Sequence, residues 1–501
     1  MLSRLVDENA ASPTIARQAV LEAISAGDMR LALRMAKDLP AQSAPIEARM
    51  LQVAEQLRTR NPERALPLLQ GGSDSGELLF LRPFVEAWIH ADRKDLSRSL
   101  AALGNMPSSS LLASLAPEHR ALILLRFGRA AEAEPFAKQA LEKAGGREQR
   151  LRLAFADGFL KAGDRTRALA MVDGLGNDLA RSRLRIQQGR PTGMAIDNSR
   201  MAYSEVLLAL ALELNRLRNR EMPISLAQIA RYAAPDNSAA TAALGILLQS
   251  RDRTPEALAV LRSINANDPF APQALDSEVR ALVSIKRGPE ALAIAQRAAS
   301  SPGADASDFS RLGDVLSELK RYDEAAAAYG RALALSPSAT PTERWPLLLL
   351  QASALEDANR WPESRQALGA ALALAPNEPL ILNFLGYAKL ERGEDLDAAE
   401  AMIRKASELD PDNASITDSL GWALFKRGRT REAVEILTKA AKGDPAQAEI
   451  HEHLGDALYK AGNRFEARYA WQAALVTADD EIAGRVKAKI EAGLTPATAA
   501  P

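Results

Sequence analysis

A period of 34 residues runs through the second half of the chain, and a fixed period of that length restricts the fold to stacked copies of one small unit. Leu420 and Leu454 are one period apart, as are Gly421 and Gly455, Leu424 and Leu458, Gly428 and Gly462, Ala433 and Ala467, Leu437 and Trp471, and Ala440 and Ala474. The frame continues upstream through Leu385, Gly386, Gly393, Ala406 and Pro411, with one extra residue in GEDLDAA. It continues again through Ala352, Leu355, Leu368, Ala371 and Pro376, and through Leu312, Gly313, Leu316, Ala325, Tyr329, Ala332 and Pro337. A further copy is Leu244, Gly245, Leu248, Ala257, Leu261 and Pro269, and a weaker one keeps Ala291, Ala295 and Ala298.

The spacing reads as two helices per unit. Leu and a small residue share one face of the first helix, and the small residue admits close approach of the second. On the second helix, Ala, a bulky apolar residue and Ala recur as one apolar stripe. Gly or Asn between the helices supports the turn, and the closing Pro ends the unit. One pair cannot bury its apolar face alone, so neighbours must stack. A plain helical bundle with chance periodicity is the rival reading, and agreement at many positions in six units argues against it.

The first half carries the pattern faintly. Gly27 with Ala32, Gly128 with Ala133 and Ala140, and Gly163 with Ala168 and Val172 keep the turn and the small residues, and NPERALPLLQ (Asn61–Gln70) resembles a second helix. Residues 1–235 are read as degenerate repeats. Residues 238–480 are read as about seven regular ones, in frames near 238, 272, 306, 345, 379, 414 and 448. Polar loops are expected near Gly71, near Met106 and from Gln187 to Ser199, the last as the joint between the halves. EIAGRVKAKIEAGL (481–494) reads as a capping helix, because a terminal repeat needs a polar outer face; 495–501 reads as a disordered tail.

This is the tetratricopeptide pattern, and LNFLGYAKLERGEDLDAAEAMIRKASELDP with HEHLGDALYKAGNRFEARYAWQAAL resembles tetratricopeptide proteins of Gram-negative bacteria, especially α-proteobacteria. The resemblance covers roughly residues 200–480. It implies an all-α, right-handed α-solenoid acting as a scaffold. Related envelope proteins are adaptors, among them lipoproteins that activate a carboxyl-terminal processing protease; this chain has no lipobox Cys.

Composition narrows the function. The chain has 501 residues, beyond what one compact core supports, and net charge −1, which suggests neither nucleic acid nor anionic lipid as a partner. It has no Cys, so disulfides and thiolate chemistry are excluded. No apolar run approaches the roughly 18–20 residues of a membrane span, and MLSRLVDENA lacks a secretory h-region. As written the chain reads as a soluble, cytoplasmic protein, or a periplasmic one if a targeting segment was removed.

No Walker-type loop is present, and the DSG at Asp74–Gly76 lies in a polar loop with no strand before it. His451 and His453, two apart on a helix, point about 200° apart and cannot share a metal; one is expected to pack and the other to be exposed. Glu394 and Asp395 fall in a turn. The reading is non-enzymatic, with no cofactor or metal and with a protein or peptide as partner.

In tetratricopeptide arrays the first helices line a concave groove, and the family's groove positions fall here on Asn383, Tyr387 and Leu390; on Asp418, Trp422, Phe425 and Lys426; and on Glu449, Glu452, Asp456, Tyr459 and Lys460. Aromatics on a polar groove suit a peptide, unless they pack between adjacent first helices as core. Trp471, on a second helix, is expected in the core. The Lys and Asn that grip a chaperone's terminal carboxylate are missing, and an acidic groove points to an apolar or basic peptide. Charge is uneven: residues 147–221 hold 14 Lys/Arg against 9 Asp/Glu, and 379–480 hold 13 against 18. This admits solvated faces, or self-association through oppositely charged ends.

Overall fold

The computed structural model describes residues 13–37, 39, 44–70, 78–104, 106, 112–173, 179–219, 222–337, 339–495, 498 and 500. They form 28 α-helices and, among the described residues, no strand. The expected loop at 71–77, with Asp74–Gly76, and most of that around Met106 lie outside the described residues. The chain divides into two units, Met1–Ala295 and Gln296–Pro501.

Backbone at the turns shows the period where side chains do not. A left-handed residue closes the first helix of successive pairs at Gly27, Arg60, Lys94, Gly128 and Gly163, then at Arg218, Asp252, Lys286, Lys320, Asn359, Gly393, Gly428 and Gly462. Several of these are not glycine, although a Cβ in this region costs about 1–2 kcal/mol, so the turn is held by the packing of the helices on either side.

In the first unit the pairs are α1 (Pro13–Ser25) with α2 (Met29–Lys37), α3 (Ile46–Arg58) with the short α4 (Ala65–Leu68), α5 (Arg82–Asp92) with α6 (Leu96–Gly104), and α7 (Ala116–Arg126) with α8 (Ala130–Glu142). Then come α9 (Glu148–Lys161) with α10 (Arg165–Val172), and an insertion carrying α11 (Ala180–Gln187). The unit continues with α12 (Ser199–Arg216) and α13 (Met222–Ala233), α14 (Ser238–Gln249) and α15 (Thr254–Leu261), and α16 (Ala271–Ser284) and α17 (Gly288–Ala299).

Helix α12 decides this unit. Every residue from Met201 to Ala211 is buried. A helix that is apolar all round must be surrounded, and the chain surrounds it: α12 packs on α3 and α5, and α13 packs on α1 and α3. Tyr203 donates its hydroxyl to the Met50 carbonyl at 3.1 Å, and Gln228 and Arg253 both reach the carbonyl of Ser25. The early pairs thus close on the sixth rather than stacking only on their chain neighbours.

The segment from Gln187 to Ser199, expected as a joint, is instead fastened inside this unit. Asp157 accepts the main-chain N–H of Thr192, Gly193 and Met194 at 2.6, 2.9 and 2.7 Å. Arg126 bonds the Asp197 carbonyl and Asp92, Lys161 bonds the Asp197 carboxylate, and Asn198 caps α12. The unit boundary falls further on, inside α17.

The core of this unit also buries a neutral histidine. Trp88 donates its Nε1–H to His119 Nδ1 at 2.9 Å, and Glu118, 4.0 Å from Nε2, is paired with Arg147. Burial, with Arg147 adding to it and Glu118 opposing, pushes His119 down to about 4 from 6.5. Between those values the unfolded chain binds the extra proton. Stability is therefore full above pH 6.5 and falls as pH drops toward 4, by about 3 kcal/mol in all. We expect segment-resolved hydrogen exchange to show α7 and its neighbours losing protection over that window, and His119→Gln to flatten the slope; an unchanged slope would overturn the assignment.

The second unit is regular. It contains α18 (Ala306–Glu318) with α19 (Tyr322–Leu335), α20 (Pro341–Asp357) with α21 (Trp361–Leu374), α22 (Pro379–Glu391) with α23 (Leu396–Leu409), α24 (Ala414–Lys426) with α25 (Thr430–Gly443), α26 (Ala448–Lys460) with α27 (Arg464–Ala474), and α28 (Asp480–Ala492). The small residue of the frame is needed for close approach: a Cβ on Gly455 would lie 2.3 Å from the Trp471 indole, and one on Gly421 would lie 2.6 Å from Leu437. Trp471 is fully buried, as its place in the stripe requires.

Candidate peptide-binding groove

The residues singled out in the sequence come together along the first helices of the last three pairs, α22, α24 and α26. They are more buried and more fully paired than a bare groove would be. Leu390 and Trp422 lie in one apolar cluster with Leu420, Leu424 and Ala457, and Trp422 is only 1% exposed. Its ring stacks on Phe425 at 4.9 Å and on His453 at 4.1 Å, and its Nε1–H donates to Glu391 at 3.2 Å. Lys426, exposed, pairs with Glu391 and lies over the indole. Of the two placements the sequence leaves open for Trp422, groove-exposed or packed between first helices, the structure takes the packed one: the first-helix neighbours one period before and after supply its partners. Tyr387 and Phe425 are half-buried and line the accessible edge of the cluster, and half-buried Tyr459 packs on the neighbouring cluster around Trp471.

His453 Nδ1 lies 2.9 Å from Asp418 Oδ2. Burial alone would lower its affinity for a proton. The charge and hydrogen bond of Asp418, with Glu449 and Asp456 behind, outweigh that and raise it. Half-buried His451 sets its Nε2 3.1 Å from the Pro445 carbonyl. The Tyr387 phenol is pushed up by burial and by Glu391, Glu449 and Asp418.

The acidic character expected of this face is largely neutralised, which is a second correction. Lys489 of α28, with no exposure, places Nζ 2.6 Å from Glu452 and 2.8 Å from Asp456. Arg485 adds two bonds to Glu452 at 3.2 and 3.1 Å. Burial opposes ionisation of Glu452, but Arg485 and Lys489 hold its carboxyl below the usual range. Burial wins at Asp456, pushing it up against Lys489. Asp456 also accepts the Trp471 indole N–H at 2.9 Å. Glu449 and Lys460 are exposed.

Sequence reasoning missed Glu391, Arg485 and Lys489. A signal existed: Lys489 lies 33 residues beyond Asp456, close to one period, so α28 occupies the place that the first helix of a following repeat would take. Three buried polar atoms here make no hydrogen bond within the protein, Asn383 Oδ1, Asp418 Oδ1 and His453 Nε2. Among the described residues no group of three His, Asp or Glu could hold a metal, and no helix is long and apolar enough to cross a membrane.

Antiparallel helix pairs stacked at a constant period, with first helices sharing one face, define a helical-repeat protein of the α-solenoid class. Profiles described as tetratricopeptide repeat match residues 306–339, 349–414 and 419–481, so these segments are similar to tetratricopeptide repeats. A tetratricopeptide repeat-containing protein of Pseudomonas aeruginosa is 36% identical over 61 residues, 12% of this chain; the match spans only a tenth of that relative's length. Among solved structures, a chain of the APC/C hetero-tetramer Cut9–Hcn1 is similar at 14% identity, over 99% of this chain and 98% of that one, with a TM-score of 0.41. Yeast Tom70 is similar at 13% identity, over 89% and 95%, also at 0.41. YrrB, described as a tetratricopeptide protein with an unusual peptide-binding site, is 20% identical over 38% of this chain and 97% of its own, at 0.29.

Proposed function

We propose that this protein is a non-enzymatic interaction scaffold that holds an extended peptide segment of a partner on the first-helix face of α22, α24 and α26. Tetratricopeptide repeats are generally protein–protein interaction modules. The observation that carries the reading is the pairing of half-buried Tyr387, Phe425 and Tyr459 with the three unpartnered polar atoms of Asn383, Asp418 and His453 on one face. A buried polar atom without a partner costs about 1–3 kcal/mol, so a peptide backbone whose docking across the aromatics opens this face to supply donors and acceptors gains by it. With Glu452 and Asp456 paired by α28, the groove favours an apolar peptide over a basic one.

The test is affinity capture by the full chain beside an Asn383→Ala/Phe425→Ala version of unchanged helicity by circular dichroism. Trp422 is left intact because its burial would make its removal a folding experiment. A partner retained by the first and reduced at least about tenfold by the second, the equivalent of roughly 1.4 kcal/mol, is the expected result. The same partner held equally by both would move binding elsewhere on the surface.

A further inference from the structure

The chain beyond α28 turns back onto this same face. Gly493 has φ +82°, and its α-carbon lies so close to Tyr459 that a Cβ would come within 2.3 Å of the hydroxyl. Thr495 and Thr498 then bond each other, the Thr498 N–H donating to the Thr495 carbonyl at 3.0 Å. Ala500 is 5% exposed within the apolar cluster of Leu390, Trp422 and Ala457, and its main-chain N–H donates to Asp456 Oδ2 at 3.1 Å. Where the sequence suggests a disordered tail, Ala500 is thus a buried contact.

The first unit uses the same device independently. Asp456 stands six residues before the left-handed Gly462, and Asp157 stands six before the left-handed Gly163. At that one repeat position, in two separate units, an aspartate accepts main-chain N–H from a segment of this chain running past its first helix: Ala500 in one, Thr192 to Met194 in the other. An aspartate on the groove face is an acceptor only, so it reads the backbone of a neighbouring segment and not a carboxylate.

We propose that the described residues beyond α28, Gly493 to Thr495 with Thr498 and Ala500, occupy the groove in cis, and that the partner segment it takes in trans is a short run of small residues, of the Ala and Thr kind, presenting a free main-chain N–H to Asp456. This rests on the reading of the groove under Proposed function. Binding in trans requires the cis segment to leave. A tether this short sets an effective concentration of about a millimolar, so the partner must bind well below that value or act where the cis segment is already displaced.

The probe is a fluorescently labelled peptide of residues 493–501, titrated by anisotropy into the full chain and into a chain ending at Ala492 whose helicity is confirmed by circular dichroism. The shortened chain is expected to bind saturably, and the full chain at least about tenfold more weakly because the tether competes. A peptide carrying Ala500→Pro, which lacks the N–H, is expected to lose about tenfold or more; Ala500→Gly keeps the donor and most of the binding. No saturable binding to the shortened chain, equal binding to both chains, or Ala500→Pro binding as well as the parent would each overturn the proposal. Should that happen while the Asn383/Phe425 version still loses its partner, the groove reading stands and only the cis occupancy falls.

Discussion

Lys489→Met is expected to destabilise the second unit by about 3–5 kcal/mol, because it removes the cation shared by two buried carboxylates. Glu452 and Asp456 have no exposure, and Lys489 lies 2.6 and 2.8 Å from them. Arg485 would remain on Glu452, but Asp456 would keep only neutral donors, the Trp471 indole and the Ala500 amide. A methionine of similar length preserves the packing, so the loss reports the charge rather than a cavity. Urea denaturation read by hydrogen exchange in α26 to α28 measures it. Adding Asp456→Asn to Lys489→Met should restore part of the loss, since an amide is far cheaper to bury unpaired than a carboxylate. A change below about 1 kcal/mol would mean that water reaches the carboxylates and that α28 is only loosely docked. The pH dependence has a definite sign: because Glu452 is held below its ordinary value, its share of the stability is present above the usual carboxylate range and is lost as pH falls through its lowered one.

The second large effect is expected in the first unit. Arg150→Met would strand Glu205, which is fully buried and takes Arg150 and Asn237 at 2.7 and 2.8 Å. It would also release the Met194 carbonyl that Arg150 holds. A cost of about 3–5 kcal/mol is expected for the unpaired charge, with loss of exchange protection spreading through residues 192–211, since Arg150 joins α9 to α12. Glu205→Gln in the same chain should recover about half. If protection in 192–211 is unchanged while the pair is broken, α12 is held by apolar packing alone and the ion pair is incidental to it.

The repeated unit was legible in the sequence because a small residue, a bulky residue and a turn at constant spacing follow from helix geometry alone. Gly455 facing Trp471 and Gly421 facing Leu437 can be read from the period without coordinates. In the first half the turns at Gly27, Gly128 and Gly163 were legible, and the others were not. Arg60, Lys94 and Arg218 occupy the left-handed place where a glycine would have announced itself, and their backbone is imposed by helices packed on either side. The first-helix positions proposed as the groove were legible from the frame. Their electrostatics were not, because the partners of Glu452 and Asp456 come from a helix that looked like a simple cap, Lys489 included.

What the sequence by itself determined, then, is everything local and periodic: helix pairs, their apolar stripes, the burial of Trp471 and the face on which Asn383, Asp418 and Tyr459 fall. Only the tertiary structure decided which segments of the chain fill the faces the repeats leave open. In the first unit, α12 and residues 192–198 lie against α3, α5 and α9; in the second, Lys489 and Ala500 lie against α26. The physical reason is that hydrophobic periodicity records which face of a helix must leave water. It carries no record of what covers that face, which depends on contacts between residues tens to well over a hundred positions apart, such as Met50 with Tyr203.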